Sequence, residues 1–169
     1  MKRIFVLLSI LGLTSIANAH AGHHHSSQSG ESKLEAAPTD IKIQYQKINQ
    51  EYGSAVKPIF ESKCAACHSN SISSPWYSKI PGISWLIESD KLEAKKHLEI
   101  SSGFPFAGHG TPLEDLEAIK NSINKNTMPT RLYLLFHSSS RLTNTEKTQI
   151  LSWVDQSESA IYTFNSEGK

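Results

Sequence analysis

The sequence predicts an all-α domain with long connecting loops. Three observations carry this expectation. Apolar residues recur at helical spacing in five segments, capping boxes open two of them, and no stretch gives a hairpin turn or a strand–helix–strand unit. The chain has 169 residues, enough for one main domain. Hydrophobic residues at 38% and charged residues at 20% suit a modest soluble core and exclude a polytopic membrane protein. Lys and Arg number 17 against 16 Asp and Glu, so nothing predicts nucleic-acid binding, which calls for a basic stripe.

The N-terminus reads as a secretory signal peptide over residues 1–19. Lys2 and Arg3 are basic, Ile4 to Ile16 is apolar, and Ala17-Asn18-Ala19 offers a small-x-small cleavage site. The apolar run is too short to span a bilayer, which needs about 20 residues. The expected product is exported, to the periplasm if the source is Gram-negative, and soluble after cleavage. Residues 20–38 are rich in His, Ser, Gly and Ala without periodicity, and are expected to be a flexible leader. His20, His23, His24 and His25 form a dense cluster there, a candidate accessory site for Cu, Ni or Zn, against the plain reading of a solvated tail.

The folded part is expected over residues 39–160, with a tail over 161–169. Ile41, Tyr45, Ile48 and Tyr52 follow 4-3-4 spacing, so Thr39 to Tyr52 predicts a helix that Gly53 breaks. Alternation at Ile41, Ile43 and Tyr45 leaves a short strand open. Val56, Ile59 and Phe60 predict a second helix up to Cys64, with Pro58 in its first turn. Residues 69–82 read as a loop. Ile83, Leu86, Ile87, Ala94 and Leu98 predict a third helix, and the Gly-rich stretch 101–110 reads as irregular. Thr111-Pro112-Leu113-Glu114 is a capping box, and Leu113, Leu116, Ile119 and Ile123 continue it as a fourth helix. Leu132 to Phe136 predicts a turn of helix. A second capping box, Thr143 to Glu146, opens a last helix with Ile150, Leu151, Trp153 and Val154. So much irregular chain needs something else to pack around, and a large flat apolar cofactor would serve.

The chemistry lies in Cys64-Ala65-Ala66-Cys67-His68. C-x-x-C-H is the attachment signature of c-type haem. Two thiols with two residues between them match the two vinyl groups of the porphyrin, and the adjacent imidazole faces the iron. Other readings of a C-x-x-C are weaker. A thioredoxin-like pair needs a βαβ context, which is missing, and a zinc site needs a second half, but no other Cys exists and no His pair follows at finger spacing. A disulfide in an oxidising compartment stays open. These are the only two cysteines, so no disulfide scaffold is expected.

The iron's second axial ligand is expected to be Met128. It is the only methionine after Met1, it lies in a polar loop, and Pro129 follows it. A thioether opposite histidine is a common pairing in cytochromes c. The rivals are His97, His109 and His137.

Val56-Lys57-Pro58-Ile59-Phe60 ahead of Cys64-x-x-Cys67-His68-Ser69 resembles the opening of the small haem-binding domain family related to cytochrome c. The resemblance continues through Pro75-Trp76-Tyr77, Ser84-Trp85-Leu86-Ile87, Asp90 and His97-Leu98. It resumes at Met128-Pro129, Tyr133, Leu135, His137, Arg141-Leu142-Thr143, Glu146-Lys147 and Trp153. It covers roughly residues 52–156 and departs at Thr130 and Ser138. It implies a cytochrome-c-like fold and one covalent haem c, with His68 proximal and Met128 at the matching distal position. Trp76 and Tyr77 are candidates to wall the pocket or bond a propionate, against plain packing.

The function expected from these residues is electron transfer to an unidentified redox protein, with no catalytic residues of the chain's own. No acid/base pair, P-loop or nucleophilic triad is visible. The alternatives are a haem enzyme or sensor with a labile distal site, such as peroxide reduction, and a metal-handling protein that uses the His-rich leader.

Overall fold

Ile41, Ile48 and Tyr52 turn inward on one face of a helix while Ile43 points to solvent, so the 4-3-4 pattern prevails over strand alternation. The computed structural model describes residues 28–70 and 76–167. Its regular elements are helices throughout: α1 (Gly30–Ala36), α2 (Thr39–Glu51), α3 (Lys57–Lys63), α4 (Ala65–His68), α5 (Ile83–His97), α6 (Pro112–Asn124), α7 (Arg131–Phe136) and α8 (Asn144–Glu167). Short 3-10 turns lie at Trp76–Lys79 and Ser138–Ser140. Extended pairing among the described residues is confined to isolated bridges, Gln28 with Gly108 and Glu99 with Ala107. The all-α expectation holds.

Three stretches differ from the sequence reading. Gly53 does not break the chain: Tyr52–Val56 forms a π-helical turn that joins α2 to α3, with Lys57 N–H bonded to Tyr52 O. Pro58 has no N–H and would crowd a carbonyl one turn back, and the wide turn absorbs that conflict. The expected flexible leader is helical over Gly30–Ala36, capped by Ser29, whose hydroxyl accepts from Ser32 N. Lys33 of α1 is buried against Asp115 of α6 at 3.0 Å, a pairing that no local pattern announces. At the other end, residues expected as a tail continue α8, with Ile161 3% exposed.

Both capping boxes form. Thr111 N donates to Glu114 Oε2 and Glu114 N to Thr111 Oγ1, and Thr143 pairs with Glu146 in the same way. The core gathers Ile48, Tyr52, Val56 and Phe60 with Leu116, Ile119, Ile150, Trp153 and Val154. Phe104 and Phe106, from the stretch read as irregular, complete it. Tyr52 meets Phe60, Phe106 and Trp153 with ring centroids 5.2–5.7 Å apart. Edge-to-face pairs such as Tyr52–Phe106 place a positive ring edge on a negative face. Gly103 has φ +79°, and a Cβ there would stand 2.5 Å from Asn49 Oδ1. That oxygen accepts from Phe104 N at 2.8 Å, so the glycine lets the loop dive into the core.

Candidate functional site

Cys64 ends α3, and the chain turns directly into α4, which carries Cys67 and His68. Cys64 N–H donates to Phe60 O, while Cys67 N–H and His68 N–H both donate to Cys64 O. The two cysteines therefore sit one helical turn apart. Ala65 is buried and faces the core, which sets the register of the turn. Both thiols are free. Burial pushes the Cys64 thiol up to about 12, with Cys67 adding to the effect. Burial also raises Cys67. Both shifts run opposite to the lowered thiol of a redox-active C-x-x-C.

His68 is anchored from the chain that follows α5. Its Nδ1 lies 2.8 Å from the carbonyl oxygen of Leu98, so Nδ1–H is the donor and Nε2 is the nitrogen left to ligate. Ile100 N–H donates to His68 O at 2.9 Å. Ser69 Oγ is 3.0 Å from Ser101 Oγ, and Asn70 N–H donates to Ser101 Oγ. Segments 68–70 and 98–101 are thus laced together. Burial lowers the His68 pKa, partly offset by the Leu98 carbonyl, which keeps the ring neutral as a metal ligand must be.

The apolar surface around this anchor is unusual. α5 has fifteen residues and buries none, and α7 buries none either. Ile83 and Leu86, expected on a buried face, are 42% and 45% exposed, and Trp76 and Trp85 are exposed as well. The helical periodicity of α5 was right, but none of the described residues covers the face it defines. On α7, Leu132, Leu135 and Phe136 face solvent.

Met128 is 43% exposed, in the polar loop between α6 and α7, and its peptide bond to Pro129 is cis. Trp76 and Tyr77 open the 3-10 turn before α5, with ring centroids 5.9 Å apart. Tyr77 Oη is hydrogen-bonded to His137 Nε2, and His137 stacks on Tyr133 at 4.4 Å. The turn before α5 is thereby tied to the end of α7. Of the other rivals to Met128, His97 and His109 pair with each other, Nδ1 to Nε2 at 2.7 Å. His20, His23, His24 and His25 lie outside the described residues. Sequence reasoning missed the Leu98 carbonyl, because a backbone acceptor carries no residue signal. It also missed Lys33 and Asp115, which are far apart in the chain.

These residues fit a haem on observations internal to the structure. Two free thiols stand one turn apart, a histidine is oriented by its Nδ1, and two helices present exposed apolar side chains. Such a set suits a large flat apolar group held by two thioethers and an imidazole.

The haem-binding domain family matches residues 27–156. Among curated proteins, cytochrome c peroxidase Ccp of Escherichia coli (strain K12) is 24% identical over 166 residues, which are 94% of this chain and 34% of that protein. The chain therefore spans about a third of that relative's length. No solved structure matches.

Proposed function

The chain belongs to the haem-binding domain family, and we propose that it is an exported c-type cytochrome that carries one covalent haem and transfers electrons. The observation that carries this reading is the bond from His68 Nδ1 to Leu98 O at 2.8 Å, inside a C-x-x-C-H segment whose thiols are free. A bound haem supplies a one-electron iron couple. Cys64 and Cys67 would hold it through thioethers, and His68 Nε2 would ligate the iron. Met128 Sδ would supply a second ligand, and a thioether there would raise the reduction potential. The apolar side chains of α5 and α7 shield the group from water, which favours the less charged state of the iron. Trp76 and Tyr77 stand at the rim, and Tyr77 also holds α7 through His137.

The partner is a redox protein that meets the haem edge, in the periplasm if the source is Gram-negative. With His68 and Met128 both ligating, the haem would offer no open position for substrate. Among the described residues, no helix is long and apolar enough to cross a membrane.

A second reading is peroxide reduction at a labile distal position. The similarity to a protein named cytochrome c peroxidase favours it. The exposure of Met128 does so too.

Expression with a working c-haem maturation apparatus tests the first reading. It requires an intact mass greater than that of the polypeptide by one haem, and a low-spin spectrum in both redox states. A colourless product of bare polypeptide mass overturns it. A high-spin ferrous form that binds CO readily at neutral pH selects the second reading.

A further inference from the structure

Met128 hangs between two anchored stretches of chain. On one side the loop is tied back to the end of α6. Lys125 N–H donates to Asn121 O, Asn126 N–H to Ile123 O and Thr127 N–H to Ser122 O. Asn126 takes the left-handed turn there, with φ 52°, a conformation that asparagine tolerates. Its Oδ1 accepts from Lys147 Nζ of α8. On the other side Pro129 and Thr130 lead straight into α7, which Thr130 caps by accepting from Tyr133 N–H.

α7 has six residues, about 9 Å of helix, and none of them is buried. Isolated helices of that length are marginal in water, so its place depends on what grips it. His137 closes the helix through its N–H to Tyr133 O and stacks on the Tyr133 ring, with centroids 4.4 Å apart. Tyr77 Oη, sixty residues away in the chain, is hydrogen-bonded to His137 Nε2. Two residues further on, Ser139 O accepts from Lys63 Nζ at 2.5 Å, and Lys63 Nζ also lies 3.8 Å from Glu146 Oε1. Lys63 directly precedes Cys64, and Tyr77 follows His68 by nine residues. The arm that carries Met128 is thus gripped by side chains that flank the C-x-x-C-H segment on both sides in the chain.

We propose that Tyr77 is a positioning residue: its hydrogen bond to His137 holds α7, and Met128 with it, and so sets how readily the distal position opens. This rests on the reading of Met128 as the distal ligand. Tyr77 acts through His137 and α7, not on the iron. The bond is made in the closed arrangement alone, so it adds to the hold of Met128 without touching it. A closed clasp suits an electron carrier, and an open one exposes the position that peroxide reduction needs. The Tyr77 ring packs edge to face on Trp76, with centroids 5.9 Å apart, whereas only Oη reaches His137. Tyr77→Phe therefore removes the clasp and keeps the ring contact.

Binding of added imidazole to the ferric, haem-loaded chain tests this, because imidazole must displace Met128. The near-infrared Met–Fe(III) band is recorded on the same samples, and the wild type should show it. Tyr77→Phe should bind imidazole about fivefold more tightly and show a weaker band, since losing one hydrogen bond populates the open state by that factor. His137→Ala should do the same. Tyr77→Phe/His137→Ala should go no further, because the two side chains act through one bond. His137→Gln, whose amide can still pair with the phenol, should stay near the wild type. Unchanged imidazole affinity in Tyr77→Phe, in a wild type that shows the band, overturns the proposal alone. Additive effects of Tyr77→Phe and His137→Ala also overturn it, because they would mean separate structural roles. A wild type without the band overturns the reading of Met128 and the proposal with it.

Discussion

His68 and Leu98 meet side chain to backbone, Nδ1 to carbonyl oxygen at 2.8 Å, although thirty residues separate them. The contact selects one tautomer of the imidazole and leaves Nε2 as its ligating atom. It also ties the segment bearing both cysteines to the chain that leaves α5.

Loss of the thiols separates attachment from binding. In Cys64→Ala/Cys67→Ala, haem should no longer survive acid–acetone extraction, and intact mass should equal that of the polypeptide. His68→Ala, with both thiols kept, should retain any attached haem but lose its low-spin spectrum. Covalent haem in the double cysteine variant would exclude thioether attachment at these residues.

Met128→Ala should leave haem attached and abolish the weak near-infrared band that a Met–Fe(III) bond produces. The reduction potential should fall with the loss of the thioether. A low-spin wild type without this band assigns the distal position to another side chain, and His137, held by Tyr77, is the next to test.

The uncovered faces of α5 and α7 predict where haem stabilises the fold. Hydrogen exchange should be faster in these two helices in the haem-free double cysteine variant than in the haem-loaded protein. The Tyr52–Phe106–Trp153 core should change less. Equal protection of α5 in both forms would show that haem does not rest on that helix.

Lys33 and Asp115 are 5% and 3% exposed, and their ion pair docks α1 on α6. Lys33→Met leaves a buried carboxyl without its partner and should cost about 3 kcal/mol in urea unfolding. Lys33→Met/Asp115→Leu should recover most of that, because an apolar pair of similar volume needs no compensating charge. A larger loss in the double variant would contradict this account.

Burial pushes the Asp115 carboxyl up to about 6, against the pull of Lys33. Its folded value thus lies above the unfolded one, 3.8. Between these values the folded state holds a proton that the unfolded state has lost. The contribution of Asp115 to stability is therefore full below about pH 4 and declines as pH rises towards about 6. The stability difference between wild type and Asp115→Asn should change in that sense over this window. A difference that grows with pH would mean that Lys33 outweighs burial.

The long helices were legible because an amphipathic face repeats every three or four residues, as at Ile41, Ile48 and Tyr52 or at Leu116, Ile119 and Ile123. Other parts of the fold carry no such period. Phe104 and Phe106 reach the core from a glycine-rich loop, so their burial depends on where α2 and α8 leave room. α1 has seven residues, too few to hold a helix alone, and is fixed by a lysine whose partner lies 82 residues away. The C-x-x-C-H segment was readable because its spacing is local. The Leu98 acceptor was not, because every residue carries the same carbonyl.

By itself, the sequence determined the helical class, both capped helix starts and the chemistry offered by Cys64, Cys67 and His68, since each rests on neighbours within a turn or two. Tertiary structure alone decided which nitrogen of His68 is left to ligate, that the described residues leave an apolar face of α5 and α7 uncovered, and that His97 meets His109. Those outcomes depend on contacts between segments far apart in the chain, and short-range residue patterns do not encode them.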